Sequence, residues 1–164
     1  MVPIGGIRGG LQRAEKGYLS AVKQYPQFAG TYSQPKPIAL SSLMAYTNIW
    51  GIFIPFTVEA NVNIAIPSPL LLPTITHEMA HERGFAREDE ANYIAYVTCR
   101  MHPDVDFRYS GILFALTHTM NFLYQYDRTT YLALIKQYGD GVKRDLAEIS
   151  KFDKKYDTPT GKFY

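Results

Sequence analysis

The sequence predicts an α+β domain that is mainly helical, and three observations carry that expectation. Apolar residues recur with a helical period near the start of the chain and again from residue 73 to residue 156. β-Branched and aromatic residues gather in one short stretch, residues 50–66, bounded by Gly and Pro. The length, 164 residues with 46% hydrophobic and 20% charged, suits a single globular domain with a real core.

Each element has its own reason. Leu11, Ala14, Tyr18, Ala21, Val22 and Tyr25 form one apolar stripe, so residues 11–25 predict a helix that Pro26 stops. Residues 1–10 are glycine-rich without an apolar centre, which predicts a flexible leader and no signal peptide. Residues 27–37 read as a loop, and residues 42–46 as a short helical turn. Residues 50–58 and 61–66 predict a hairpin turning at Glu59-Ala60, with Pro55 restricting the first strand to an edge or a bulge. Pro73 suits a first helical turn and Gly84 a position just past a helix end, which predicts a helix over residues 73–83. A second helix follows over 87–101, ended by His102-Pro103-Asp104, then a C-terminal helical bundle over 107–126, 129–138 and 140–156. Residues 158–164 read as an unstructured tail, so residues 1–164 form one domain.

Composition excludes several classes. Net charge is only +2, and the 17 Lys and Arg form no block, which argues against a nucleic-acid partner. No stretch approaches the roughly 20 apolar residues needed to span a bilayer. Cys99 is the only cysteine, so no intrachain disulfide is possible, and it reads as a small buried hydrophobe. Nothing in the sequence specifies an oligomeric state.

The chemistry is concentrated in Thr76-His77-Glu78-Met79-Ala80-His81. On a helix, residues four apart lie one above the other, so His77 and His81 can share one Zn²⁺. Glu78 is rotated by about 100° from His77, near an ion-bound water but off the ion, as a general base must be. The bland alternative is a chance HExxH in a solvated helix. The helix boundaries, the apolar neighbours Leu72, Ile75, Met79 and Ala80, and the acidic run after Gly84 argue against it.

A third ligand is expected from Glu88-Asp89-Glu90, although these acids also suit a helix N-terminus electrostatically. Periodicity does not choose between Glu88, which shares a face with Asn92 and Cys99, and Glu90, which shares one with Ile94, Val97 and Met101. Asn92, one turn below Glu88, favours Glu88 because it can hydrogen-bond a ligating histidine and fix its tautomer.

The segment His77-Glu78-Met79-Ala80-His81-Glu82-Arg83-Gly84-Phe85-Ala86-Arg87-Glu88-Asp89-Glu90-Ala91-Asn92 resembles an uncharacterised family of bacterial, membrane-anchored proteins regarded as zinc metallopeptidases. The likeness extends back through Pro55-Phe56-Thr57-Val58-Glu59-Ala60-Asn61-Val62-Asn63 and forward to Phe107-Arg108-Tyr109-Ser110. It implies a zincin-like active-site helix and a gluzincin-like site, with His77, His81 and Glu88 on zinc, Glu78 catalytic and Asn92 supporting Glu88. It also implies a peptide or protein substrate, and an extracytoplasmic domain anchored by transmembrane helices that this chain lacks. Two further candidates are Tyr109, as hydrogen-bond donor to a developing oxyanion, and Asn61 to Ile64, as an edge strand that pairs with substrate. Their bland readings are packing and a core strand. His118 is expected as a satisfied core histidine and His102 as a surface residue. The function this implies is zinc-dependent peptide hydrolysis. A zinc-stabilised binding or regulatory module and a zinc amidase acting on the cell envelope are the alternatives.

Overall fold

The structure, a computed structural model, describes residues 1–156. The tail expected at 158–164 lies outside the described residues. Along the chain run α1 (Gly6–Arg13), α2 (Glu15–Ala21), β1 (Lys36–Pro37), α3 (Ser41–Met44), β2 (Gly51–Ile54) and β3 (Glu59–Val62). Five longer or paired helices follow: α4 (Ser68–Glu82), α5 (Glu88–Met101), α6 (Val105–Tyr126), α7 (Arg128–Ile135) and α8 (Asp140–Tyr156). The domain is α+β and mainly helical, as the sequence predicts.

Helix α4 is the centre of the molecule. Twelve of its fifteen residues are buried, so it is enclosed on nearly every side instead of showing one apolar stripe. Leu72, Ile75 and Met79 join Tyr18 of α2, Val62 of β3 and Phe107 of α6 in the main core. Full burial of each large side chain contributes roughly 1.5–3 kcal/mol, which offsets the poor helical start. That start comes five residues earlier than expected. Pro69 occupies the first turn, and Pro73 lies inside the helix, where it donates no N–H to the carbonyl one turn back. Either proline suits a first turn, so sequence alone misplaces the boundary.

The sheet departs from the expected hairpin. Pro55 cannot donate to a ladder, and β2 stops before it. The turn occupies residues 55–58, and Val58 closes it at φ 52. Glu59 and Ala60, expected in the turn, therefore lie inside β3. Nor is β3 an edge: the strand order is β1-β3-β2, with β1 parallel and β2 antiparallel to it. The pairing Gly51↔Val62 through Ile54↔Glu59 leaves β2 as one of the two edges, β1 being the other. Lys36-Pro37 has no strand signal of its own, which is why the third strand escapes a sequence reading.

The flexible leader expected at residues 1–10 is a second correction. Helix α1 begins at Gly6, and the segment before it is tied down by Arg13. The Arg13 guanidinium donates to Asp104 Oδ2 and Asp106 Oδ2 at 2.7 Å each and to the Ile4 carbonyl at 2.7 Å. The Ile4 N–H donates to Asp106 Oδ2 at 2.8 Å. The single helix expected over 11–25 is divided at Ala14 into α1 and α2 and ends at Ala21. At the other end the expected helices hold their places, and the Asp127 carboxylate caps α7 by accepting the Thr130 N–H at 2.9 Å.

His102, expected at the surface, is buried against Phe107 with ring centroids 3.8 Å apart. Its Nδ1 accepts the Asp104 N–H and its Nε2–H donates to the Arg13 carbonyl, both at 2.9 Å. That pattern requires a neutral ring, and burial holds its pKa below the ordinary value. A lowered folded pKa stabilises the fold fully above the unfolded value of about 6.5 and progressively less as pH falls below it. Urea unfolding from pH 7.5 down to pH 5 is expected to show declining stability, with a shallower decline in His102→Gln; equal slopes would remove His102 from this role.

Candidate metal centre

The turn after α4 builds half of the site. Gly84 adopts φ 91, the left-handed conformation that only glycine takes without strain. The Gly84 N–H then donates to the His81 carbonyl at 3.0 Å and the Phe85 N–H to the Ala80 carbonyl at 3.2 Å, a Schellman closure. The Phe85 ring meets Phe28 edge-on at 5.7 Å, which fixes the reversed chain to the core. As a result the Phe85 carbonyl comes back under His81 and accepts its Nδ1–H at 2.8 Å. With its proton committed there, His81 presents an unprotonated Nε2 to the cleft. His77 lies one turn earlier, its Nε2 3.0 Å from that of His81 and the two rings edge to face at 82°.

The reversal also brings in α5. Its first residue, Glu88, places Oε2 at 3.1 Å from His77 Nε2 and Oε1 at 3.5 Å from His81 Nε2. Ligand atoms of these three residues lie within 4.8 Å of one another, and they form the only such group among the described residues. Glu90 is not part of it. Ligands at about 2.0–2.1 Å from a tetrahedral ion stand about 3.3 Å apart, and the three separations bracket that figure. Two imidazole nitrogens and a carboxylate form a donor set suited to zinc. The Glu88 side chain is 76% exposed, so the group meets solvent on that side. Asn92, one turn along α5, lines the same cleft as His77 and favours the protonated form of its ring. The His77 pKa is lowered, first by burial and then by the neighbouring His81, while Glu88 and Asn92 oppose this. His77 is thus neutral at neutral pH, the form that can ligate.

Glu78 is buried and lies outside the ligand group. Burial, with a smaller contribution from the charge on Glu88, pushes its carboxyl pKa up to about 8. A divalent ion beside it would favour the charged form and bring that value down. Its place depends on Gly51: a Cβ at that position would lie 2.2–2.4 Å from the Glu78 carboxyl and Cγ. The edge strand β2 therefore rests directly on the carboxylate. Gly51 and the Phe85 carbonyl both escape the sequence reading. Only the Gly84-Phe85 pair carries a legible signal, a glycine followed by an apolar residue at a helix end.

These groups open into a cleft of about 830 Å³. Its floor is α4, with Thr74, His77, Glu78 and His81; one wall is residues 48–53, including β2; the other is α5 and α6. Tyr109 does not line it. Its hydroxyl donates to Asp145 Oδ2 of α8 at 2.6 Å, which withdraws it from the oxyanion role the sequence suggested. His118, expected inside the core, instead lines the cleft beside Phe114. Cys99 is buried as expected, beside the Thr76 hydroxyl, and burial raises its thiol pKa to about 12.

Residues 9–164 match a family described as protein of unknown function (DUF3810), and the chain belongs to that family. No curated protein and no solved structure matches it.

The contact between Gly51 and Glu78 is open to test. Gly51→Ala forces either the strand or the carboxylate to move, and overpacking of this kind costs about 1–3 kcal/mol. A lowered urea midpoint is the expected outcome; unchanged stability would mean that β2 does not press on Glu78.

Proposed function

We propose that this chain is a zinc metallopeptidase, with His77, His81 and Glu88 holding the ion and Glu78 as general base. The observation that supports it best is the placement of Glu78: a buried carboxylate beside a three-ligand group but not part of it, at the floor of an open cleft. A purely structural zinc site needs four ligands and no such base. When bound, the ion would supply Lewis acidity, acidifying water and polarising a carbonyl.

The residues then divide the work. Glu78 accepts a proton from the attacking water as the new C–O bond forms, and returns it to the departing amine nitrogen as the C–N bond breaks. His81 keeps its orientation through the Phe85 carbonyl, and Asn92 stands beside His77 in the same cleft. The free edge that runs along the cleft is β2, so the strand-pairing role first suggested for Asn61 to Ile64 passes to Gly51–Ile54. An extended peptide alongside β2 would satisfy that strand's outward N–H and C=O groups. Attachment to a membrane, with the domain outside the cytoplasm, is part of the proposal only through the family resemblance. No helix among the described residues is long and apolar enough to cross a membrane.

Two measurements test this reading. Glu78→Gln is expected to keep one zinc per chain while losing about 10²–10⁴-fold in peptide-library hydrolysis. Full activity of that variant would refute the assignment. Zinc binding without hydrolysis in the native chain would favour a non-catalytic module, and cleavage of cell-envelope amides alone would favour an amidase. Separately, Gly84→Ala is expected to weaken zinc binding about 10–100-fold in a chelator competition, because the Phe85 carbonyl would shift away from His81. Unchanged affinity would show that the turn does not orient the ligand.

A further inference from the structure

The chain has four histidines, and three of them are engaged by protein groups. His77 and His81 meet each other and Glu88, with the Phe85 carbonyl behind His81. His102 is held on both ring nitrogens. His118 differs: among the described residues it has no hydrogen-bond or ionic partner, only an edge-on ring contact with Phe114 at 4.4 Å. It is exposed on α6 and lines the same cleft as the ligand group. Phe114 and His118 stand four residues apart on one face of α6, and both line the cleft. Trp50, just before β2, packs against the apolar cluster that contains Phe114 and lines the cleft from the other wall.

We infer that His118 is a substrate-contacting residue, whose imidazole donates a hydrogen bond to a main-chain carbonyl of a polypeptide lying along β2, beside a subsite walled by Trp50 and Phe114 that takes a bulky uncharged side chain. The inference rests on the metallopeptidase reading and deepens it. A neutral imidazole has one donor and one acceptor, and both are served only by solvent in the free protein. Desolvation on its cleft side lowers the His118 pKa, which keeps the ring in its neutral form. A ligand that displaces the solvent must supply a partner or leave those groups unsatisfied. A main-chain carbonyl meets that need at every residue of a peptide, whatever its sequence. The walls supply the side-chain preference: Trp50 and Phe114 are aromatic, and no Lys or Arg among the described residues lines the cleft to hold an anionic group.

The test uses the zinc-loaded chain and two probes. Acetohydroxamate is a small zinc chelator that reaches only the open vertex. A phosphinic peptide with benzyl side chains on both sides of the phosphorus also occupies the walls and offers main-chain carbonyls. By titration calorimetry, His118→Phe is expected to bind acetohydroxamate as the native chain does and the phosphinic peptide about tenfold more weakly. His118→Gln, which restores a donor, is expected to recover most of that loss. In the native chain, the ring ¹⁵N resonances of His118 should move on adding the phosphinic peptide and stay in place with acetohydroxamate. That measurement stands even if His118→Phe fails to fold. Normal zinc content and acetohydroxamate binding, together with undiminished phosphinic-peptide affinity in His118→Phe or static His118 resonances in the native chain, would overturn the role of His118 alone. A chain that binds neither zinc nor acetohydroxamate would overturn the underlying reading, and this inference with it.

Discussion

The chain reversal at Gly84 is the constraint on which the site depends. One glycine in the left-handed region lets the Phe85 and Gly84 amides close on α4, and two consequences follow. The Phe85 carbonyl fixes the tautomer of His81, and α5 begins close enough for Glu88 to reach both histidines. A side chain at position 84 would strain the backbone without meeting a neighbour, since no atom of the described residues lies within 4 Å of a Cβ placed there. The glycine is therefore required by dihedral angle alone, and what it controls is the position of atoms one and four residues further on.

Helix α4 carries two buried carboxylates, and their surroundings separate chemistry from architecture. Glu78 faces the cleft, pressed by Gly51, with burial and a nearby negative charge both working against its ionised form. Glu82 faces away, where Oε1 accepts the Ser33 hydroxyl and N–H at 2.7 and 3.0 Å. Next to it the Arg83 guanidinium lies between the rings of Tyr18 and Tyr32, at 3.8 and 4.1 Å from their centroids. Aromatic faces suit a delocalised, weakly hydrated cation, so Arg83 can be buried there as a lysine could not. Glu82 and Arg83 thus bind residues 32–33 to the far side of the helix, whereas Glu78 has no cationic partner among the described residues. A buried acid whose neighbours do nothing to neutralise it is the chemical asymmetry on which the proposed function draws.

Much of this was legible because it is local. The His77–His81 spacing, the glycine at the helix end and the start of α5 follow from helical geometry within sixteen residues, and the preference for Glu88 over Glu90 from the chemistry of Asn92 one turn on. The misreadings were tertiary. Tyr109 has the right chemistry for the cleft, but its helix turns that face toward Asp145, and no periodicity in α6 foretells it. His118 and His102 exchange their expected surroundings, the first opening to the cleft and the second closing under Arg13 and Phe107. The strand order was missed because β1 is two residues long and contains a proline, so it pairs by position and not by propensity. Gly51 carries no local signal at all; its meaning lies in a carboxylate 27 positions away.

The same division shows how the site is prepared. His77, His81 and Glu78 stand on a helix enclosed by core, so their places are set by packing before any ion arrives. Glu88 stands at the first turn of α5 with its side chain largely in solvent. Its backbone is fixed by the reversal at Gly84, but its carboxylate keeps rotational freedom that a bound ion would remove. In the proposed site the half-buried histidines would supply geometry and the exposed Glu88 charge. With Glu88 at the solvent side, the proposed site would admit ion and water without loosening the floor. The two walls, β2 and the Phe114–His118 face of α6, take no part in holding the ligand group and are free to serve recognition. Selectivity could then change along the walls while the floor, tied to the core through Leu72, Ile75 and Met79, keeps its chemistry.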